Sequence, residues 1–250
     1  MTPTPYEPAG PDAETATSRL VRIQNELDSI DDQMLALFEQ RLEVAAQIGR
    51  TKSRSTACLP LRPDREQRLT RRHAQFREPA ARDALTAIGR ELTSWGVARQ
   101  RPITLSIWSP LRSIAVTDAA RRRFGGAPLI SDAVSAEAAL QAAVAEHTVA
   151  ILALDAYTPW WIDFSRKWPE LTVFEGLDHL GGLPCALAIG RIPPSALPGG
   201  PRVVVSTGGD AGPDEKRRSL LHWHGRTLAL TSGQPPLGGH EGCIGAIAAL

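Results

Sequence analysis

Two cations stand where a helix should bury apolar side chains. Ile23, Leu27, Ile30, Met34 and Leu37 follow one another in steps of four and three, the period of one helix face. The next step lands on Arg41, then come Val44 and Ile48, and the step after that lands on Lys52. Arg41 and Lys52 are 11 residues apart, which at about 100° per residue is three turns plus about 20°, so they share a face with backbones about 16 Å apart. Burying an unpaired charge is costly, so these cations need anions: acids of the chain itself, or a ligand bearing carboxylates. "RPDREQR" adds Arg65 and Glu66 on the first turn of a second helix, and Gln100 ends a third. One cluster of Arg41, Lys52, Arg65, Glu66 and Gln100 would offer three cations, one acceptor and one amide. That inventory suits a small dianion carrying a hydroxyl. It contains no nucleophile, and it implies neither a cofactor nor a metal.

The elements that must hold these residues are helical. One continuous pattern runs from Ser18, a candidate N-cap, to about Arg54. At about 1.5 Å per residue it would reach roughly 50 Å, more than its own short domain can cover, so a bundle completed by a second copy of the chain is expected. "SRSTACLPLRP" breaks the pattern. Pro63 suits the start of a second helix, Asp64 to about Gln75. Pro79 opens a third, to about Gln100, and Pro102 stops it. After Pro102 the texture changes. "ITLSIW", "TVAILALD", "LTVFEGL", "CALAIG" and "RVVVST" are short β-rich runs, "IAVTDAARRRFG" and "SAEAALQAAVAEH" are helical, and "TLALT" and "CIGAIAAL" return as strands. Strands alternating with helices imply an α/β layer structure. The expected organisation is a lead-in over 1–17, an all-helical part over 18–101 and a reduced α/β part over 102–250.

Bulk properties narrow the function classes. The chain has 250 residues, 42% apolar and 22% charged, with a net charge of +1. No apolar run is long enough for a membrane span, and the proline-rich, acidic N-terminus is not a secretory signal. Three separated cysteines without CxxC spacing point to reduced thiols and a cytoplasmic setting. From Arg41 to Arg101 there are 14 Lys/Arg against 6 Asp/Glu. This basic excess comes without interleaved aromatics or a recognised module, so it suits small anions or a solvated face better than nucleic acid.

"LDSIDDQMLALFEQRLEVAAQIGRTK", "PLRPDRE" and a third helix ending in glutamine together resemble the all-helical class of chorismate mutases, over about residues 18–101. The resemblance implies an intertwined homodimer of three-helix chains and a pericyclic Claisen rearrangement of chorismate to prephenate in aromatic amino acid biosynthesis. Catalysis would be positioning plus electrostatics. It implies that Arg41 pairs with a substrate carboxylate, that Lys52 binds a carboxylate and the ether oxygen, and that Gln100 donates to that oxygen. Glu66 would hold the hydroxyl and Arg65 would support the site beside it. Three positions depart from the pattern. Gln24 stands where an arginine reaching the partner's site is usual, Arg62 where an aspartate is usual, and Gly96 (or Trp95) where a serine is usual. The same site suits pyruvate elimination from isochorismate, and the departures suit a ligand sensor or interaction protein.

Residues 102–250 look like a reduced, diverged prephenate dehydratase, as found fused to some mutases of this class. They are also similar to C-terminal extensions carrying a paired-tryptophan segment, here Trp160–Trp161. The dehydratase Thr-Arg-Phe signature is absent, since Thr207 is followed by Gly208 and Gly209, so a structural or regulatory role is expected. Trp160 and Trp161 are expected in the core. His222 and His224 alternate on one strand face without a third ligand, the glycine runs from Gly208 and Gly233 are turns, and the "RRR" ending at Arg123 is solvated charge.

Overall fold

The structure is a computed structural model, and it describes residues 15–52, 58–73, 75, 78–145, 147–155, 158–180, 183–207, 217–232 and 242–248. Contacts divide the chain into two compact units, Met1–Val44 and Ala45–Leu250. The change of texture at Arg101 therefore does not coincide with the boundary between compact units.

The first unit, among the described residues, is the N-terminal part of helix α1 (Ala16–Thr51). Thr15, not Ser18, caps it. The Thr15 hydroxyl accepts from the Ser18 backbone N–H at 3.2 Å and lies 2.8 Å from the Ser18 hydroxyl, satisfying a donor of the first turn. The expected apolar stripe lies on the surface of this unit: Leu27, Ile30, Met34 and Leu37 are 48–64% exposed. No second element of the unit is present among the described residues to cover it.

The second unit begins with the last turns of α1, followed by α2 (Pro63–His73) and α3 (Pro79–Gln100). Both later helices start at the prolines expected to open them, where a missing N–H costs nothing. A nine-stranded sheet follows among the described residues. Its elements are β1 (Thr104–Trp108), α4 (Ser113–Phe124), β2 (Leu129–Asp132), α5 (Ala136–Val144), β3 (Thr148–Ala153), the short helix α6 (Phe164–Lys167), β4 (Thr172–Leu180), β5 (Leu183–Gly190), β6 (Arg202–Thr207), β7 (Arg217–Trp223), β8 (Arg226–Thr231) and β9 (Gly242–Ala246). The strand order is β2-β1-β3-β5-β4-β9-β6-β8-β7. Strands β2, β1 and β3 pair in parallel through α4 and α5, and β3 then meets β5 antiparallel. The rest is antiparallel apart from the β4–β9 contact. Thus a βαβ half continues into a meander-like half, a more mixed sheet than simple strand–helix alternation suggests.

Burial on both faces explains why "TVAILA" reads as a continuous apolar run rather than an alternating one. Along β3, Val149, Ile151 and Ala153 enter one core with Leu105, Val116 and Phe174, while Ala150 and Leu152 enter the other with Leu140, Trp161 and Phe164. Trp161 is buried and Trp160 packs against the same core.

The segment expected only to break the helical pattern also anchors it. Leu59 and Leu61 are buried in the first core, and the Leu59 N–H donates to the Arg191 carbonyl at 2.9 Å. Gln67 of α2 exchanges two hydrogen bonds with Gly199, at 3.0 and 3.2 Å. On α3, the Ser94 hydroxyl accepts from Ala127 N–H, and Glu91 accepts from Gly126 N–H. Gly125 ends α4 at φ 73°, and a Cβ there would lie 2.6 Å from that of Ser94, so both backbone sign and space call for glycine. Helices α2 and α3 are thereby fastened to the sheet layer within one unit.

Two expectations about the α/β part change. Strand β7 ends at Trp223, and His224 lies in the following turn with φ 43°. His222 and His224 therefore do not alternate on one strand face, because the chain reverses at His224–Gly225; the His222 Nδ1 instead lies 2.9 Å from the Thr227 hydroxyl. The arginines of "RRR" are not all solvated. Arg123 is drawn inward by two carboxylates, as described below. The glycine runs after Thr207 and from Gly233 lie outside the described residues.

Candidate active site

The C-terminal turn of α1 meets the C-terminal turn of α3. Gly49 permits the approach: a Cβ there would lie 2.9 Å from both the Cα and the carbonyl oxygen of Gln100. One turn further on, the Lys52 ammonium donates to the Gln100 side-chain oxygen at 3.1 Å. The Gln100 amide nitrogen donates to the Gly96 carbonyl at 3.3 Å. An amide N–H₂ has two hydrogens, so a second donor remains for an acceptor beside Lys52.

Lys52 is exposed at the end of α1 and lies in a positive electrostatic environment. Its pKa is lowered first by burial and then by the charges of Arg62, Arg101 and Arg65. Like charges nearby disfavour the charged form of an amine. Arg101, the residue directly after Gln100, belongs to this group as well. Arg65 is exposed on the first turn of α2.

Arg62 is committed differently. Its guanidinium makes two 2.8 Å hydrogen bonds to Asp64, and Arg68 reaches the same carboxylate at 3.1 Å. The Arg62 hydrogen bond is the main cause that lowers the Asp64 pKa to about 2, and it raises that of Arg62.

Glu66 carries a second surprise. Its carboxylate accepts from Arg123 of α4 at 2.7 Å, and Arg123 also donates to Glu175 of β4 at 2.5 Å. Burial acts to lower the Arg123 pKa, but the charges of Glu66 and Glu175 outweigh it and raise it. So the structure brings Lys52, Gln100, Arg62 and Arg65 into one electrostatic cluster and engages Glu66 with the sheet layer. Gln24 and Arg41 lie on α1 in the first compact unit. At the departing positions, Gly96 is buried and Trp95 is 49% exposed.

Residues 23–101 match the family model for chorismate mutase type II. The matched segment covers α1 from Ile23, α2 and α3, and so contains Lys52, Arg65, Glu66 and Gln100. It ends at Arg101, and the strand-rich part lies beyond it. No curated protein and no solved structure matches the chain. Among the described residues, no helix is long and apolar enough to cross a membrane.

Proposed function

We propose that the chain is a chorismate mutase, an isomerase converting chorismate to prephenate in the cytoplasmic route to aromatic amino acids, without a cofactor. The observation that carries this reading is the Lys52 ammonium, 3.1 Å from the Gln100 amide oxygen and under the charges of Arg62, Arg101 and Arg65, inside the segment that matches the family. The Claisen step needs no nucleophile. As the ether C–O bond breaks, charge grows on its oxygen, and a lysine and an amide donor aimed there stabilise the transition state more than the ground state. Lys52 and Gln100 take that role, and the arginines neutralise the substrate carboxylates. The roles of Arg41 and Gln24 rest on the resemblance alone. The bare apolar stripe on α1 fits a homodimer in which a second copy covers it, and the strand-rich part is assigned a structural or regulatory rather than a dehydratase role.

The test supplies purified protein with chorismate and, separately, with isochorismate, following prephenate and salicylate. Prephenate formation that disappears in Lys52→Ala supports the reading. Salicylate from isochorismate without prephenate would move the chemistry to pyruvate elimination at the same cluster. No turnover of either substrate would leave a ligand-binding protein.

A further inference from the structure

A cavity of about 650 Å³ lies among α2, α3, α4 and β4, within the size range of small-molecule sites. Of the proposed mutase residues it shares only Glu66; neither Lys52 nor Gln100 lines it. One side is apolar, formed by Leu61, Val97, Ile103, Phe124 and Leu177. The polar side holds four arginines (Arg71, Arg90, Arg122 and Arg123) against two glutamates, Glu66 and Glu175. Both glutamates are bound to Arg123, and Arg122 pairs with Asp118 at 3.2 Å.

Arg90 is the group that points to a ligand. Its only hydrogen bond among the described residues is a long one, 3.5 Å to the Arg122 carbonyl. Arg90 lies at the exposed edge of the cavity. Partial burial, and next the charge of Arg123, lower its pKa, while the charges of Glu175 and Glu66 act to raise it. A guanidinium that stays protonated and carries five N–H donors has donors left for an anion in the cavity. Thr93, one turn along α3, adds a hydroxyl to the same wall.

We propose that this cavity is a second ligand site, for a small amphipathic monocarboxylate whose carboxylate pairs with Arg90 and whose apolar body packs on Phe124 and Leu177. A guanidinium meets a carboxylate with two parallel hydrogen bonds, and the aromatic and aliphatic wall excludes water from the rest of the ligand. The proposal stands apart from the mutase reading, because its test reads binding and not turnover.

The probe is 2-naphthoate, titrated calorimetrically into the full chain, with 2-naphthamide as the uncharged control. One saturable site per chain is expected, with the amide binding about 10-fold more weakly, the loss that goes with removing a hydrogen bond between charged groups. Arg90→Met should remove that preference, and Thr93→Phe, which fills the cavity from the same helix, should abolish binding of both probes. Each variant is checked for wild-type thermal melting, and if Arg90→Met does not fold, Thr93→Phe alone decides. Absence of saturable naphthoate binding overturns the proposal, as does binding unchanged in Thr93→Phe. Competition between chorismate and naphthoate for one site would also overturn it, by making the cavity part of the mutase site.

Discussion

Arg123 holds Glu66 across 2.7 Å while bonding Glu175 on its other side. One guanidinium thus joins the first turn of α2 to α4 and β4. A residue expected to await a substrate hydroxyl is fixed by the C-terminal part of the chain.

Removing that guanidinium leaves two largely buried carboxylates without their shared cation. Arg123→Met should destabilise the second unit by about 3–5 kcal/mol, the usual cost of breaking a buried ion pair from one side. Urea unfolding followed by far-UV circular dichroism measures it. A loss below about 1 kcal/mol would mean that the triad contributes little beyond a surface pair.

Gly49 controls the approach of Lys52 to Gln100. Gly49→Val places a side chain against the Gln100 backbone, where even a Cβ would be at 2.9 Å. Overpacking of this kind costs about 1–3 kcal/mol and displaces the amide from the ammonium. Prephenate formation should fall at least about 100-fold, because misplacing a catalytic group by about 1 Å carries that penalty. Activity retained in a folded Gly49→Val variant would remove Gln100 from the mechanism.

The depressed Lys52 pKa sets a pH dependence. Mutase activity should decline on the alkaline side earlier than an ordinary lysine allows, since the neutral amine no longer stabilises the ether oxygen. The stability sign is opposite. Between the lowered folded pKa and the ordinary unfolded one, the unfolded chain binds more protons, so stability rises with pH through that window. Arg62→Ala should move the alkaline limb of activity upward, because it removes one of the repelling charges. A limb that stays put in Arg62→Ala would assign the titration to another group.

Asp64 gives the acid counterpart. Its folded pKa of about 2 lies below the ordinary value of 3.8. Its contribution to stability is therefore present above about pH 4 and is lost as pH falls through about 2. In Arg62→Ala the Asp64 carboxyl resonance, followed by NMR titration, should shift back towards the ordinary value. A titration unchanged by that substitution would show that Arg68 and the helix start suffice.

The exposed stripe of α1 makes the oligomeric state testable. Sedimentation should give a dimer, and Ile30→Asp with Met34→Asp should give a monomer without mutase activity. A wild-type monomer that turns over chorismate would detach catalysis from dimerisation.

Periodicity and local chemistry made much of this legible in the sequence. The helical N-terminal region, the starts of α2 and α3 at Pro63 and Pro79 and the main strands are properties of neighbouring residues. So is the cation-rich character around Lys52, because Arg62, Arg65 and Arg101 sit at or beside helix ends already marked by proline and glutamine. Helix geometry and backbone chemistry act over a few residues, and the sequence states them directly. The partner of Glu66 was a different matter. Arg123 and Glu175 come from α4 and β4, and an arginine in "RRR" carries no local mark of burial. Only packing of α2 and α3 onto the sheet layer brings those carboxylates within reach of one guanidinium, and only there does Coulomb attraction outweigh the cost of leaving water. The sequence by itself determined which residues could bind an anion. The tertiary structure decided which of them remain beside Lys52 and which one is held by the rest of the chain.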